Sequence, residues 1–387
     1  MRKPLTLILA ALFTLSLISV AQQESSAKQA GSAAKQISSV SDARFNRLRR
    51  GINLSHWFAQ SPDGKYEIER LKSQITGADF DLIKSMGFDH VRLALEPAPL
   101  FNESRPETLN ADYLRLVDEA VRMPLDRGLA VILDVHPSGD FKQRLSNERG
   151  IEGFADFWRS LAAHYASVDP ERLFLEILNE PEMSDAYRWY GVQARLVAAI
   201  RSAAPQHTII VSGHAWSAFD TLLPLAPLAD GNIIYNFHYY EPHIFTHQGA
   251  SWGYELWHHL PRVRYPSRPG ANDELIKALP EYLQKLELVR YDQNRWARER
   301  IDAEIGLVAA WAKGHNVRVT CNEFGVFREH ALAEERAAWL NDVRSSLETH
   351  GIGWTMWDYT GGFAVAPGEP GKRVPDKTVL KALGLIR

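Results

Sequence analysis

Eight short apolar runs, rich in β-branched residues, recur along the chain: 49–57 (RRGINLSHW), 90–95 (HVRLAL), 130–137 (AVILDVHP), 173–181 (LFLEILNEP), 208–213 (TIIVSG), 232–240 (NIIYNFHYY), 317–325 (VRVTCNEFG) and 351–359 (GIGWTMWDY). Most are continuously apolar rather than alternating, the pattern of strands buried on both faces of a parallel sheet. Between them lie segments of helical period. Thr76 can cap one that stops at Gly87, Asn110 one that stops at Gly128, and Ser184 one that stops at Pro205. Further periodic stretches fill 151–166, 294–313 and 332–349. Strand and helix alternating eight times predict an α/β fold, the (β/α)8 TIM barrel, in a single domain. An open doubly wound sheet would want a glycine-rich turn after an early strand, and there is none.

The chain before the first run is of two kinds. Arg2 and Lys3 precede an apolar stretch that ends on Ser19, Val20 and Ala21. That order, basic then apolar then small, predicts a cleavable signal peptide over 1–21 and a secreted or periplasmic protein. The stretch is short for a bilayer span and is interrupted by Thr6, Thr14, Ser16 and Ser19, so stable membrane association is not expected. Residues 22–43, rich in Gln, Ser, Ala and Lys, read as a disordered linker. The barrel is left with 44–387. A formal net charge of -3 without a long basic run argues against a nucleic-acid partner. The single cysteine, Cys321, rules out an internal disulfide and reads as a buried thiol.

In a TIM barrel, active sites form at the carboxyl ends of the strands. The polar residues of the runs gather there: Asn53 and His56, Arg92, His136, Asn179 and Glu180, His238 and Tyr240, Asn322 and Glu323, Trp357 and Asp358. Glu180 closes run four and Glu323 run seven in similar settings, ILNEP and TCNEFG. Strands three apart in a ring of eight face each other across the mouth. A facing carboxyl pair is what glycoside hydrolysis requires, one protonated and one ionised, and proximity itself drives their pKa values apart. Trp57, Trp216, Trp252, Trp257 and Trp357 fall at strand ends or in the following loops and are candidate platforms for the C–H faces of sugars. Asp134, His136 and His238 could be read as metal ligands. A barrel metallohydrolase would want a His-x-His pair on strand one, where Asn53 and His56 stand, so neither a metal nor another cofactor is expected.

Together these residues resemble glycoside hydrolase family 5, the cellulase family. Glu180 in NEP and Glu323 in NEFG match its two glutamates, and RGINLSHW resembles its opening strand. Arg92, His136 in DVHP, His238 and Tyr240 in FHYYEP, and Trp357 in WTMWDYTGGF match its other hallmark positions, over roughly residues 49–365. The resemblance implies Glu180 as general acid and later general base, and Glu323 as nucleophile. It implies Arg92 and Tyr240 as donors that keep Glu323 ionised, and Asn179 on the sugar 2-hydroxyl. His136 and His238 would line the site, with Trp357 stacked beneath the sugar; Trp57 and Trp252 are further candidates for substrate contact. Glu96, in RLALEP, takes no role from the resemblance. The implied protein is a retaining endo-β-1,4-glucanase, a monomer whose partner is β-glucan polysaccharide or oligosaccharide. β-Mannan, β-1,3-glucan and xyloglucan are sibling substrates, whereas a non-catalytic carbohydrate-binding barrel would need neither glutamate. More than fifty residues, 241–294, precede the helix after run six, against the typical ~2–6. The rings His243, Phe245, His247, Trp252, Tyr254 and Trp257 there suit a groove that holds successive sugars.

Overall fold

The structure, a computed structural model, describes residues 39–387 except residue 259. Eight parallel strands close into one barrel in chain order: β1 Arg50–Leu54, β2 His90–Leu95, β3 Ala130–Val135, β4 Leu173–Glu176, β5 Thr208–Ser212, β6 Ile233–Tyr239, β7 Arg318–Phe324 and β8 Gly353–Met356. β8 pairs back onto β1, with Arg50 opposite Trp354. Around the barrel run α1 Gly77–Ser85, α2 Ala111–Asp126, α3 Glu148–Tyr165, α4 Ala186–Ala203, α5 Tyr282–Gln293, α6 Arg298–His315, α7 Ala333–Thr349 and α8 Lys377–Ala382. The Asn110 side chain caps α2 by accepting from the N–H groups of Asp112 and Tyr113.

Three expectations are corrected. The alternation fails once: among the described residues, β5 and β6 are joined by a loop whose only helical turn is the short Phe219–Thr221. The ring still closes because β5 pairs directly with β6. The cap of α4 is Asp185, not Ser184; its carboxylate accepts from the N–H groups of Tyr187 and Arg188, and its charge also suits the helix N-terminus. The fold begins before residue 44. The Ser39 N–H donates to the Gly231 carbonyl, Ser41 caps a short helix Asp42–Phe45, and Val40 is buried. The predicted signal peptide, and the predicted linker up to residue 38, lie outside the described residues. No helix of the described residues is long and apolar enough to cross a membrane.

Alternation along the strands makes two cores. Val131, Leu133, Leu173 and Leu175 join the layer of residues beneath the helices. Their neighbours Ala130, Ile132 and Phe174 join Ile210 and Ile234 in a separate inner cluster, which Val40, Phe45 and Leu48 complete. The residues preceding β1 thus pack onto the barrel's inner apolar layer. One step further along the strands, the inner positions turn from apolar to polar: Asn53, Arg92, Asp134, Glu176, Asn236 and Asn322 are all buried. They are the floor of the site.

Candidate active site

Arg92, fully buried, organises that floor. Its Nε and Nη2 fork onto both oxygens of Glu176 at 2.9 Å. Nη2 also reaches Asn179 Oδ1 and Asp134 Oδ2, each at 2.9 Å. Nη1 donates to Asn53 Oδ1 at 2.9 Å and to Glu323 Oε1 at 2.6 Å. Burial alone would lower the Arg92 pKa, but Asp134, Glu176 and Glu323 together hold it well above its ordinary value. Burial in turn pushes the carboxyls of Asp134 and Glu176 up, against the pull of Arg92.

The two predicted glutamates reach the mouth by breaking strand geometry. On β7 the inner face holds Asn322, so regular alternation would turn Glu323 outward. The register slips instead: Phe237 faces Cys321 and His238 faces Glu323. This bulge lets Asn322 and Glu323 both point inward, Asn322 Nδ2 to Glu176 at 2.8 Å and Glu323 to Arg92. Tyr240 donates its hydroxyl to Glu323 Oε2 at 2.9 Å. Burial raises the Tyr240 pKa well above its ordinary value, so it stays a donor. Glu180 lies past the regular end of β4 and takes a left-handed conformation, φ 45°, just before Pro181. A non-glycine residue held there costs ~1–3 kcal/mol, a strain concentrated at functional sites. Its side chain is 27% exposed. Burial raises its pKa, against the pull of Lys142 and Arg92. One oxygen each of Glu180 and Glu323 and one His238 nitrogen lie within 4.8 Å of one another.

Two asparagines set the tautomers of the two histidines. Asn236 accepts the Asn322 N–H with Oδ1 at 3.0 Å, so its Nδ2 faces Glu176 (3.0 Å) and His238 Nε2 (3.4 Å). The His238 proton then sits on Nδ1, 3.0 Å from Glu180 and 3.5 Å from Glu323. Asn179 accepts from Arg92, so its Nδ2 donates to His136 Nε2 at 3.1 Å, and His136 Nδ1 donates to Asp134 at 2.8 Å. Burial pushes His136 down to about 3 and His238 to about 4. Both are therefore neutral above about pH 5.

Trp357 stacks on His136, ring centroids 5.6 Å apart, and packs with Tyr240, Phe327 and Phe363. Gly325 of NEFG permits this: a Cβ there would meet the Trp357 carbonyl at 2.4 Å. Trp252 is 46% exposed, in a T-shaped contact with Phe327 and tilted against Phe363. Trp216 is 60% exposed on a turn of three left-handed residues, Ala215, Trp216 and Ser217. The Trp216 N–H donates to the carbonyl of Pro181, which ties this turn to the residue after Glu180. Trp257 stacks on His243 within the 241–294 segment.

Two predicted rings are corrected. Phe245 is fully buried in the apolar core. Trp57 is 1% exposed, packs on Phe58 and Phe80, and donates Nε1–H to the Leu71 carbonyl. It lies just past β1 but on the helix side of the sheet, so it holds up the barrel rather than a sugar. Trp57→Ala should therefore cost about 3–5 kcal/mol of stability in denaturant unfolding and leave the KM of the folded enzyme unchanged.

Sequence reasoning missed Glu176 as a site residue, though a lone acid inside LFLEIL was a signal that a buried partner existed. It also missed Gln60, whose amide comes within 3.4 Å of His136 Nε2. Glu96 is accounted for locally: it accepts the N–H groups of Ala98 and Ser138 and ties the ends of β2 and β3 together. Among the described residues, Glu180, His238 and Glu323 are the group whose atoms could hold a metal ion. The Arg92 guanidinium already places a permanent positive charge on Glu323, which opposes a cation there.

The sequence matches Cellulase (glycosyl hydrolase family 5) across residues 51–362. Endoglucanase 3 of Fibrobacter succinogenes is 31% identical, the match covering 87% of this chain and 53% of that protein, so the chain spans about half the length of that relative. Endoglucanase C of Acetivibrio thermocellus is 30% identical over 81% of this chain and 91% of its own. Among solved structures, the cellulose synthase subunit Z of Clostridioides difficile is 26% identical with a TM-score of 0.70, covering 87% of this chain and 99% of that one. Thermotoga maritima Cel5A with cellobiose is also 26% identical, with a TM-score of 0.71 over 88% and 98% of the two chains. The same enzyme with mannotriose gives 25% and 0.70 over the same shares.

Proposed function

From its membership of glycosyl hydrolase family 5, the cellulase family, to which the chain belongs, we propose that it is a retaining endo-β-1,4-glucanase that works by double displacement. The observation that carries this is the carboxyl pair. One oxygen of Glu180 lies within 4.8 Å of one of Glu323, a close approach that fits the ~5–5.5 Å carboxyl spacing of retaining enzymes rather than the ~6.5–9.5 Å that leaves room for a water. Their surroundings differ as the two roles require. Glu180 is pushed toward its protonated form by burial, while Glu323 receives donors from Arg92 and Tyr240.

Glu323 attacks the anomeric carbon while Glu180 protonates the leaving oxygen. His238 Nδ1–H holds one oxygen of Glu180, leaving the other to carry the proton. Asn179 Nδ2 has a second hydrogen free for the sugar 2-hydroxyl, a contact that tightens in the transition state. Glu180, now a carboxylate, deprotonates the water that frees the sugar. Trp357, against His136, and the exposed rings of Trp252 and Trp216 are the aromatic surface this reading assigns to successive sugars of an open groove. The same reading has the protein act as an exported monomer, on the order of residues 1–21 and on a site complete within one chain.

Proton NMR of the first product should show the β-anomer from a β-glucan; the α-anomer appearing first would reject the mechanism. Viscosity of mixed-linkage β-glucan should fall well before many reducing ends appear, and glucose accumulating at constant viscosity would reject internal cutting. β-Mannan is the second reading, favoured by the mannotriose complex of the Thermotoga relative; faster hydrolysis of mannan than of glucan would establish it.

A further inference from the structure

Glu176 takes no part in that mechanism, yet it accepts two hydrogen bonds from Arg92, one on each oxygen. It is 2% exposed. Oε2 accepts from Arg92 Nε and Asn322 Nδ2, and Oε1 from Arg92 Nη2 and Asn236 Nδ2, at 2.8–3.0 Å. Four donors on two oxygens leave no acceptor to which a protonated Glu176 could donate, so it is held as a carboxylate. The other edge of the same guanidinium makes the 2.6 Å contact to Glu323. One delocalised charge is thus shared between Glu176 on one side and Glu323 on the other, all three side chains almost fully buried.

We propose that Glu176 is a positioning residue that sets how strongly Arg92 draws on Glu323, and so balances the two halves of the reaction. The proposal rests on the reading of Glu323 as nucleophile. The two steps ask opposite things of that carboxylate. Formation of the glycosyl-enzyme needs it to attack; breakdown needs it to leave. With Glu176 ionised, part of the Arg92 charge is already answered, and Glu323 keeps enough electron density to attack. With Glu176 neutral, Arg92 turns more of its charge on Glu323, which becomes a poorer nucleophile and a better leaving group. A merely structural role for Glu176 would slow both steps together.

The test uses Glu176→Gln, with Glu176→Asp as the variant that keeps the charge, on aryl β-cellobiosides of graded leaving-group acidity. In the wild type, breakdown should limit for the most acidic leaving groups, giving a burst of aryl alcohol and a flat kcat. In Glu176→Gln the burst should vanish and kcat should depend on the leaving group throughout. For the poorest leaving groups kcat should fall roughly 10–100-fold, the weight of one hydrogen bond to a charged group. Glu176→Asp should keep the burst. A burst that persists in Glu176→Gln while kcat falls equally for all substrates overturns the proposal, as does an unchanged leaving-group dependence. If melting shows that Glu176→Gln does not fold, Asp134→Asn removes a charge from the same guanidinium and must give the same loss of burst. A 2-fluoro-cellobioside with a good leaving group separates the two ideas. Wild-type enzyme should become covalently labelled on Glu323; no label there overturns the nucleophile reading and the proposal with it.

Discussion

Glu323→Ala is expected to lose turnover on every substrate, polymer or aryl glycoside, by on the order of 10⁵-fold, the scale on which a covalent nucleophile's removal is felt. The loss should not depend on the leaving group, because the missing step is the displacement itself. The variant should still fold. Buried Arg92 keeps Asp134 and Glu176 as partners when Glu323 is gone, so no guanidinium is left buried and unpaired. Azide gives a sharper test. It can enter the space vacated by the carboxyl and attack from the face Glu323 used, but the adduct then has no nucleophile to displace it. The expected product is the inverted α-glycosyl azide, identified by NMR. A variant that keeps more than about a tenth of the polymer activity, or an azide product of β configuration, would remove Glu323 from the nucleophile's place.

The barrel was legible because its strands are the unusual kind. Buried on both faces, they read as unbroken apolar runs, and eight of them in a row leave few architectures. The ring of polar residues was legible for a related reason: Arg92, His136 and His238 interrupt runs that have no other cause to be polar. What stayed hidden was parity. Run one holds Asn53 and Trp57, and nothing in the letters says that Asn53 turns inward while Trp57 lies under the helices. Glu323 faces the mouth, although strict alternation from Asn322 would have sent it outward; the bulge that turns it inward leaves no mark in TCNEFG. Glu176 was in plain view, but its importance comes from Arg92, 84 residues earlier, and from asparagines 60 and 146 residues later. The missing helix between β5 and β6 and the cap at Asp185 are local matters, where Ser and Asp compete on nearly equal terms.

Glu180→Ala should fail differently from Glu323→Ala, and the difference is chemical. On polymer, where the leaving group is a sugar alkoxide, loss of the proton donor should cost ~10²–10⁴-fold. On an aryl glycoside whose phenol leaves readily, the first step needs little protonation and should recover. The second step lacks its base, so the glycosyl-enzyme should accumulate, and azide, which needs no deprotonation, should release it as the retained β-glycosyl azide. The pH profile carries the same signature. The acid form of Glu180 is the working form for the first step, so kcat/KM should fall as pH rises through its pKa, and burial, by raising that pKa, extends activity to higher pH. His136 and His238, pushed down to about 3 and about 4 by burial, are already neutral there and cannot supply this limb. Glu180→Gln should therefore abolish the alkaline limb on an activated aryl substrate while leaving the rest of the profile in place. An alkaline limb that survives Glu180→Gln unchanged would assign the proton to another residue and undo the pairing of Glu180 with Glu323.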